Sequence, residues 1–476
     1  MSTDLCFLPA LEILNLFKSR ELSPVELMNA VIERAESVEP IINAFSYTHY
    51  DEAIALAKKA EQAYIKGTAR PLEGIPFAVK DESHIAGKPT SNGSLFLKDF
   101  VPDDTTFVVE RILDAGAIVH ARTTTPEFSS AVFTWSKVWG VTRNPWNPEI
   151  TPGGSTGGGA AALAAGSTIL TNGSDIAGSI RVPASMCGLV GFKPPYGRNP
   201  ENPPWNLEPY SHEGPLARTV DDCSYLQNIM SGPHPGDMVS LKPKLDLPSA
   251  YDSIAGKRIA LSIDLGYKAV DPAVRNLIEK AAIIFQELGA IVEPVDLGWT
   301  DETLKATLDY LTFGMMGASL REYYANEPDK LANYNRWMVE RGQRTTAADY
   351  ARAAELSGEN MARLAKIYET YDLLLTPAVA LAGVPADFDY GSMPLEINGQ
   401  LVNSKLGWVM SYPFNMLNRC PALVIPAGRT AENVPIGIQL VAPPYEDATC
   451  FQFASAYAAY KPDLFIGQTN YPSLNI

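Results

Sequence analysis

Small side chains fill most of the stretch between residues 152 and 179, and this feature constrains the fold more than any other. A loop of Gly, Ser and Thr over 152–159 leads into a run of alanines with one leucine over 160–165. Alanine is a strong helix former, and a helix without bulky side chains can pack very close to a sheet. A short strand over 167–170 and a second Gly-rich loop over 171–179 are expected to follow.

Strands and helices alternate before and after this stretch. Residues 75–80 form an apolar segment typical of a short buried strand that ends in Lys80. This alternation favours an α/β core with parallel pairing. Ser23, Pro24 and Glu26 predict a helix start with a reciprocal capping box. Further predicted helices cover 51–66, 106–115, 271–288, most of 302–370 and 448–460, and further strands cover 117–121, 257–262, 373–376, 422–425 and 437–441.

Charge and composition exclude several classes of function. The 476-residue chain has a net charge of −16 and 46% hydrophobic residues, so it can bury a large core without disulfides or metal, and it repels nucleic acid and anionic membranes. No apolar run reaches the ~18 residues of a membrane span. The five cysteines form no CxxC pair, and the N-terminus carries Asp4 without an early Lys or Arg. We therefore expect a cytoplasmic protein.

Histidine, the usual base for a serine nucleophile, is scarce and scattered here. The five histidines show no metal-ligand spacing, and each is expected on the surface or satisfied in the core. Residues 153–157 match the G-x-S-x-G nucleophile elbow by letter, but two prolines within 148–152 replace the strand that an elbow needs. No phosphate-loop motif is present.

The loop over 173–181 contains Ser179, preceded by small residues. Small residues allow several backbone N–H groups to converge beside a serine hydroxyl, which is the geometry of an oxyanion hole. A tight turn with a capping serine explains the same pattern. From this loop alone, both interpretations stay open.

Several motifs in a fixed order resemble the amidase-signature family. They are GIPFAVKD at 74–81, PGGSTGG at 152–158, DIAGSIRVP at 175–183 and CGLVGFKP at 187–194, with weaker matches at 43–45, 127–128, 140–146, 214–219, 372–377 and 435–440. The gaps are also similar, with 75 residues from Lys80 to Ser155 and 24 from Ser155 to Ser179.

The resemblance implies one α/β/α domain over residues 1–476, with a large mixed, mostly parallel sheet covered by helices on both faces. The core motifs would lie within 74–194 and a helical substrate-pocket region at about 302–370. No cofactor or metal is implied. The partner would be a small amide or carbamate, bound by a monomer or homodimer.

The resemblance also implies roles for individual residues. Ser179 would be the acyl-enzyme nucleophile, Ser155 a bridging serine on a cis peptide, and Lys80 the base that receives the proton through Ser155. The remaining implied residues are Ile176, Ala177 and Gly178, which with Ser179 supply N–H groups to the oxyanion, and Ser129, whose backbone carbonyl contacts substrate.

Burial disfavours the charged form of a lysine, so an apolar strand would help Lys80 to act as a base. Ala177 departs from the family, which usually has Gly there; either Ala177 keeps a negative φ or the oxyanion loop is slightly altered. The resemblance leaves amide, carbamate and aryl ester hydrolysis open, together with a glutamine-deamidating amidotransferase component.

Substrate choice is expected to depend on 121–139, 195–213 and 302–345. Apolar side chains that could line the pocket are Trp135, Trp139, Trp205, Phe313, Met315, Met316 and Trp408.

Overall fold

A computed structural model describes residues 5–474. The helices are α1 Ala10–Ser19, α2 Pro24–Ile42, α3 Tyr50–Lys66, α4 Phe107–Asp114, α5 Gly157–Ala165, α6 Arg181–Cys187, α7 Val220–Met230, α8 Pro272–Glu287, α9 Glu302–Phe313, α10 Met315–Ser319, α11 Arg321–Asn326, α12 Asn333–Arg344, α13 Ala347–Tyr368, α14 Pro413–Met416 and α15 Asp447–Tyr460. Short 3₁₀ turns cover Glu127–Ser129, Trp205–Leu207 and Pro462–Leu464. The strands are β1 Phe45–Thr48, β2 Pro76–Lys80, β3 Ile118–Thr123, β4 Trp135–Ser136, β5 Gly140–Val141, β6 Leu170–Ser174, β7 Val190–Lys193, β8 Glu213–Ala217, β9 Arg258–Leu261, β10 Ile291–Pro294, β11 Leu373–Pro377, β12 Leu395–Ile397, β13 Gln400–Val402, β14 Ala422–Arg429 and β15 Pro435–Val441.

One sheet of 11 strands runs through the molecule in the order β1-β3-β2-β6-β8-β7-β14-β15-β11-β9-β10. The predicted mixed sheet is confirmed. The predicted excess of parallel pairs is wrong: β3–β2, β2–β6, β11–β9 and β9–β10 are parallel, and the other six pairs are antiparallel. One cause is visible at β14 and β15, where the connection is too short for a parallel crossover, which takes a dozen or more residues.

The close approach of a small-residue helix to the sheet is confirmed at α5. A Cβ on Gly158 would lie 2.5 Å from the backbone of Thr124, and one on Gly173 would lie 2.7 Å from the Thr156 hydroxyl. The helix begins at Gly157, three residues before its predicted start. The strand expected over 167–170 is displaced, because β6 spans Leu170–Ser174, and the first part of the expected loop over 171–179 is therefore strand. Glycine at 173 weakened the strand signal but permits this packing.

The helix predicted to start at Ser23 is α2, with Ser23 at the N-cap and Pro24 at its first position. The reciprocal capping box with Glu26 is wrong. The Ser23 hydroxyl accepts from Val25 N at 3.0 Å and donates to Glu61 on α3 at 2.6 Å. The cap therefore also ties α2 to α3.

Within residues 5–474, no helix is both long and apolar enough to span a membrane. Part of the N-terminal segment that is predicted to lack a secretory signal, residues 1–4, lies outside the described residues. The cytoplasmic location and the single-domain organisation stay predictions. All five cysteines are buried, and Cys6 donates a hydrogen bond to the Ala30 carbonyl at 3.4 Å.

Candidate active site

Lys80 ends β2 and is completely buried. Its Nζ atom donates to the hydroxyls of Ser155 and Ser174, each at 2.8 Å, and lies 2.7 Å from Oε2 of Glu82. A lysine ammonium has three N–H donors, and these three groups provide a partner for each. The parallel strands β2 and β6 end side by side, which brings Lys80 and Ser174 together.

Glu82 and Ser174 are site residues that the sequence motifs did not indicate. The Ser174 hydroxyl donates to Glu82 Oε2 at 2.6 Å, so the carboxylate is bonded to both Lys80 and Ser174. Burial raises the pKa of Glu82, but the Lys80 ammonium and the hydrogen bonds to the carboxylate outweigh burial and hold this pKa below its usual range. The strand pattern could not indicate this contact, because the chain turns after Lys80, where the Ser83 N–H donates to the Lys80 carbonyl at 3.0 Å.

Ser155 lies just before α5, and the peptide bond between Gly154 and Ser155 is cis. The backbone at Gly154 lies so close to the Phe133 carbonyl that a Cβ would meet its oxygen at 2.2 Å. The neighbouring Thr156 N–H donates to the Ser179 carbonyl at 3.2 Å, which joins the two Gly-rich loops. Ser155 and Ser179 line one cavity. Within residues 5–474, no hydrogen bond links their two hydroxyls directly.

Asp175 and Arg181 hold the loop that contains Ser179. Both side chains are fully buried, and the Asp175 carboxylate accepts two Arg181 N–H groups at 2.9 Å. The same carboxylate accepts the Gly178 N–H at 2.7 Å and the Ile180 N–H at 3.2 Å. Burial raises the pKa of Asp175, but the Arg181 guanidinium outweighs burial and holds this pKa well below its usual range. The loop is thus fixed on both sides of Ser179.

The set of predicted oxyanion donors needs one correction. Gly178 donates its N–H to Asp175, so in this structure it does not face the cavity as a free donor. The N–H groups of Ile176, Ala177 and Ser179 have no hydrogen-bond acceptor among the described residues. Gly178 has φ 113°, whereas Ala177 does not have a positive φ. Alanine at 177 is therefore accommodated without left-handed backbone.

We expect Asp175→Asn to lower the free energy of unfolding by about 3–5 kcal/mol, because it leaves the buried Arg181 charge without its counter-ion. The turnover number should also fall, since asparagine has one oxygen acceptor and cannot replace both the Oδ1 that holds Gly178 and the Oδ2 that holds Ile180. Chemical denaturation and steady-state kinetics measure the two effects. Asp246→Asn is the control, because its ion pair with Lys244 is exposed and is worth about 1 kcal/mol at most. Equal stability of both variants would contradict this explanation.

Ser129 ends the 3₁₀ turn Glu127–Ser129 and has φ 53°. Its hydroxyl lies 2.9 Å from that of Thr125 and donates to Asn92 at 3.0 Å. Ser129 lines the same cavity as Ser155 and Ser179. Its predicted carbonyl contact with substrate stays a prediction.

The cavity has a volume of about 290 Å³, a size suited to a small molecule. Segments from all three predicted specificity regions form its walls: Phe128 from the first, 201–205 from the second, and Met316, Ser319 and Leu320 from the third. Two of the proposed apolar lining residues, Trp205 and Met316, do line it. The others do not belong to its walls, and Trp408 is a core residue.

Two of the five histidines, His120 and His212, are fully enclosed core residues, as expected. Burial lowers the pKa of His120 to about 4 and that of His212 to about 3. Backbone carbonyls surround both rings; those of Phe77 and Ser167 bond His120. Of the histidines, only His84 lines the cavity. Its Nδ1 atom lies 2.7 Å from Oδ1 of Asp104.

Because His84 is the one histidine within reach of a substrate, it provides the test of a histidine base. We expect His84→Gln to keep kcat/KM within about threefold, since Ser155 is hydrogen-bonded to Lys80 instead. A loss of about 10²-fold or more, the contribution typical of a general base, would contradict this expectation. The measurement is the initial rate of hydrolysis over a range of substrate concentrations.

The chain belongs to the amidase family: the family model named Amidase matches residues 26–451. This is the class that the sequence motifs implied. The matched residues include the strand that ends at Lys80 and the two loops that contain Ser155 and Ser179.

Two relatives and one solved structure are similar to this chain over most of its length. The chain is 32% identical over 466 residues to an acylamidase from Rhodococcus erythropolis, covering 96% of each chain. It is 31% identical over 472 residues to a glutamyl-tRNA(Gln) amidotransferase subunit from Chloroflexus aurantiacus, covering 92% of this chain and 93% of the relative. Among solved structures, a bacterial aryl acylamidase of the amidase-signature enzymes superimposes with TM-score 0.89 at 29% identity, covering 96% of each chain.

Proposed function

We propose that the protein hydrolyses the C–N bond of a small amide through an acyl-enzyme on Ser179. The observation that carries this proposal is the Lys80–Ser155 hydrogen bond of 2.8 Å, made directly behind the cavity that Ser155 and Ser179 line. Ser179 attacks the substrate carbonyl, and Ser155 relays the proton from Ser179 toward Lys80. Ile176, Ala177 and Ser179 supply N–H groups to the developing oxyanion.

A lysine accepts a proton only in its neutral form. Glu82, whose Oε2 lies 2.7 Å from Lys80 Nζ, stabilises the ammonium, and its lowered pKa keeps it a carboxylate. Complete burial of Lys80 acts in the opposite direction, because burial disfavours the charged form of a lysine. The reactive state is the one in which the ammonium has released one proton to solvent. Neutral Lys80 then accepts the proton that leaves Ser179 through Ser155.

The second half of the cycle reverses these transfers. Ser155 returns the proton to the nitrogen of the leaving amine, because an amide nitrogen departs as a neutral amine and not as an anion. Water then attacks the acyl-enzyme and passes its proton along the same chain. Free acid and regenerated Ser179 complete the reaction.

The acylamidase and aryl acylamidase relatives support amide hydrolysis. Carbamates and aryl esters present the same carbonyl to Ser179, so they are alternative substrates for the same residues. A panel of p-nitroanilide, carbamate and p-nitrophenyl ester substrates with one shared acyl group distinguishes these classes. Hydrolysis of the anilide supports the amidase function. Turnover of esters alone would contradict it.

A second candidate is a role within an amidotransferase, favoured by the similarity to the glutamyl-tRNA(Gln) amidotransferase subunit. In that case the substrate is glutamine, and ammonia passes to a partner chain. Purification from the native cell, followed by mass spectrometry, tests this function: a second chain in fixed proportion supports it. A monomer or homodimer that hydrolyses acylamides supports the free-standing amidase.

Ser155→Ala should affect amides more than activated esters. An amine needs the proton that Ser155 returns, whereas p-nitrophenolate leaves without one. We expect kcat/KM to fall by about 10³-fold or more for a p-nitroanilide. For the matching p-nitrophenyl ester, the fold-loss in kcat/KM should be at least about ten times smaller. Paired kinetics on the two substrates measure the difference. Equal losses would show that Ser155 does not protonate the leaving group.

A further inference from the structure

Three glutamates line the cavity, and only one of them has a cationic partner. Glu82 pairs with Lys80. Within residues 5–474, neither Glu201 nor Glu213 forms an ion pair, and the described residues contain no group spaced to hold a metal ion. The cavity therefore has an acidic wall, formed by the carboxyl groups of Glu201 and Glu213, neither of which is paired with a cation of the described residues.

Glu213 provides stronger evidence for a bound ligand than Glu201 does. It begins β8 and pairs with Ser174 of β6, the serine that contacts Lys80. Its side chain is buried, with 6% of the residue exposed, and its enclosed Oε2 atom has no hydrogen-bond partner among residues 5–474. A buried acceptor without a donor costs free energy. Glu213 lines the cavity and also a smaller pocket beside it, so a cation in the cavity contacts this carboxyl group.

Glu201 lies in the loop that enters the same cavity. Its Oε1 accepts from the Ser211 hydroxyl at 2.6 Å. Burial and the neighbouring Glu213 raise the pKa of Glu201 well above its usual range. Burial and Glu82 raise the pKa of Glu213 to about 8, although Lys80 lowers it. A cation bound beside these carboxyls would favour their ionised form and so offset the burial and mutual repulsion that raise their pKa values.

The route of the proton through Ser155 indicates which half of the substrate contacts Glu201 and Glu213. Ser155 lines the glutamate cavity and, under the proposed function, protonates the leaving amine. The nitrogen of the scissile bond therefore lies in the same cavity as the two glutamates.

We propose that Glu213, together with Glu201, binds an ammonium or amidinium group on the leaving-amine half of the substrate. The preferred substrates are then amides of diamines, acylated on one nitrogen and positively charged on the other. The inference rests on the proposed function for its assignment of the two substrate halves. The net charge of −16 further favours the approach of a cation.

Matched acetanilides test the proposal. One pair carries an aminomethyl group at ring position 3 or 4, and the other carries an ethyl group of similar size. We expect the wild type to prefer the cationic anilides by about tenfold or more in kcat/KM, the size of a charge-assisted hydrogen bond. Glu213→Gln and Glu201→Gln should each reduce this preference severalfold. Glu432→Gln removes an exposed carboxylate outside the cavity and should preserve it. A preference of one or less, or one unchanged by Glu213→Gln, would overturn the proposal.

Binding provides a second measurement that needs no turnover. Benzylamine should bind the Ser179→Ala variant in calorimetry, and addition of Glu213→Gln should weaken that binding by about tenfold. If neither anilide is hydrolysed but benzylamine binds through Glu213, the cation site stands and the proposed chemistry fails. If anilides are hydrolysed without any effect of Glu213, the chemistry stands and the cation site fails. Thermal unfolding of each variant checks that it is folded.

Discussion

Ser179→Ala is expected to lower kcat/KM for an amide substrate by about 10⁴- to 10⁶-fold, the loss typical of removing a serine nucleophile. The hydroxyl is the group that forms the acyl-enzyme, and no other residue can replace it in that bond. Stopped assays with product detection by chromatography measure the residual rate. Stability should change little, because the Ser179 hydroxyl makes no hydrogen bond to the described residues.

Ser46→Ala is the matched control for this variant. Ser46 is also a buried serine, and its hydroxyl has no hydrogen-bond partner in the part of the chain that the structure describes. It lies on β1 at the edge of the sheet. We expect wild-type kcat/KM from Ser46→Ala. If Ser179→Ala kept more than about a hundredth of the activity, the nucleophile would have to be another residue.

Lys80→Met is expected to have the second largest effect, a loss of about 10³-fold or more in kcat for amides. Methionine has nearly the same length and is apolar, so the strand can keep its packing. The variant also leaves Glu82 without its cation, and we expect the free energy of unfolding to fall by about 1–2 kcal/mol, because the Glu82 side chain is 31% exposed and water can solvate part of its charge. Denaturation curves and kinetics measure these two effects separately.

The double variant Lys80→Met/Glu82→Gln separates the chemical role of Lys80 from its structural role. Removing the second charge removes the uncompensated carboxylate, so stability should return toward that of the wild type. Activity should stay low, because the proton acceptor is still absent. If activity returned together with stability, Lys80 would be a structural partner of Glu82 and not a base. The pair of measurements therefore decides between the two roles.

Motifs with fixed backbone geometry were predictable from the sequence. The strand ending at Lys80 lies where its residue types predict it, and the Gly/Ala helix is present but begins three residues before its predicted start. Elements set by pairing partners were less predictable: the antiparallel majority of the sheet follows from which strands meet, and no local pattern records this. The strand Leu170–Ser174 begins three residues after its predicted start, because Gly173 made this segment resemble a loop. That glycine is needed for close packing against Thr156 at the start of α5.

Within the site, the prediction failed where polar groups from distant parts of the chain meet. Glu82, Ser174 and Glu213 become neighbours only when β2, β6 and β8 lie side by side. The commitment of the Gly178 N–H to Asp175 depends on the conformation of one loop. Spacing in the sequence indicates which residues share an element, but it does not specify which hydrogen bonds they make.

The proposed mechanism depends above all on an acyl group carried by Ser179, and mass spectrometry of the trapped protein detects that group. The protein is mixed with a slowly deacylating p-nitrophenyl ester, quenched in acid and digested, and the acylated peptide is sequenced. We expect one acyl group per chain, on Ser179, and none in Ser179→Ala. An acyl group on Ser155, or on another residue in both proteins, would contradict the mechanism.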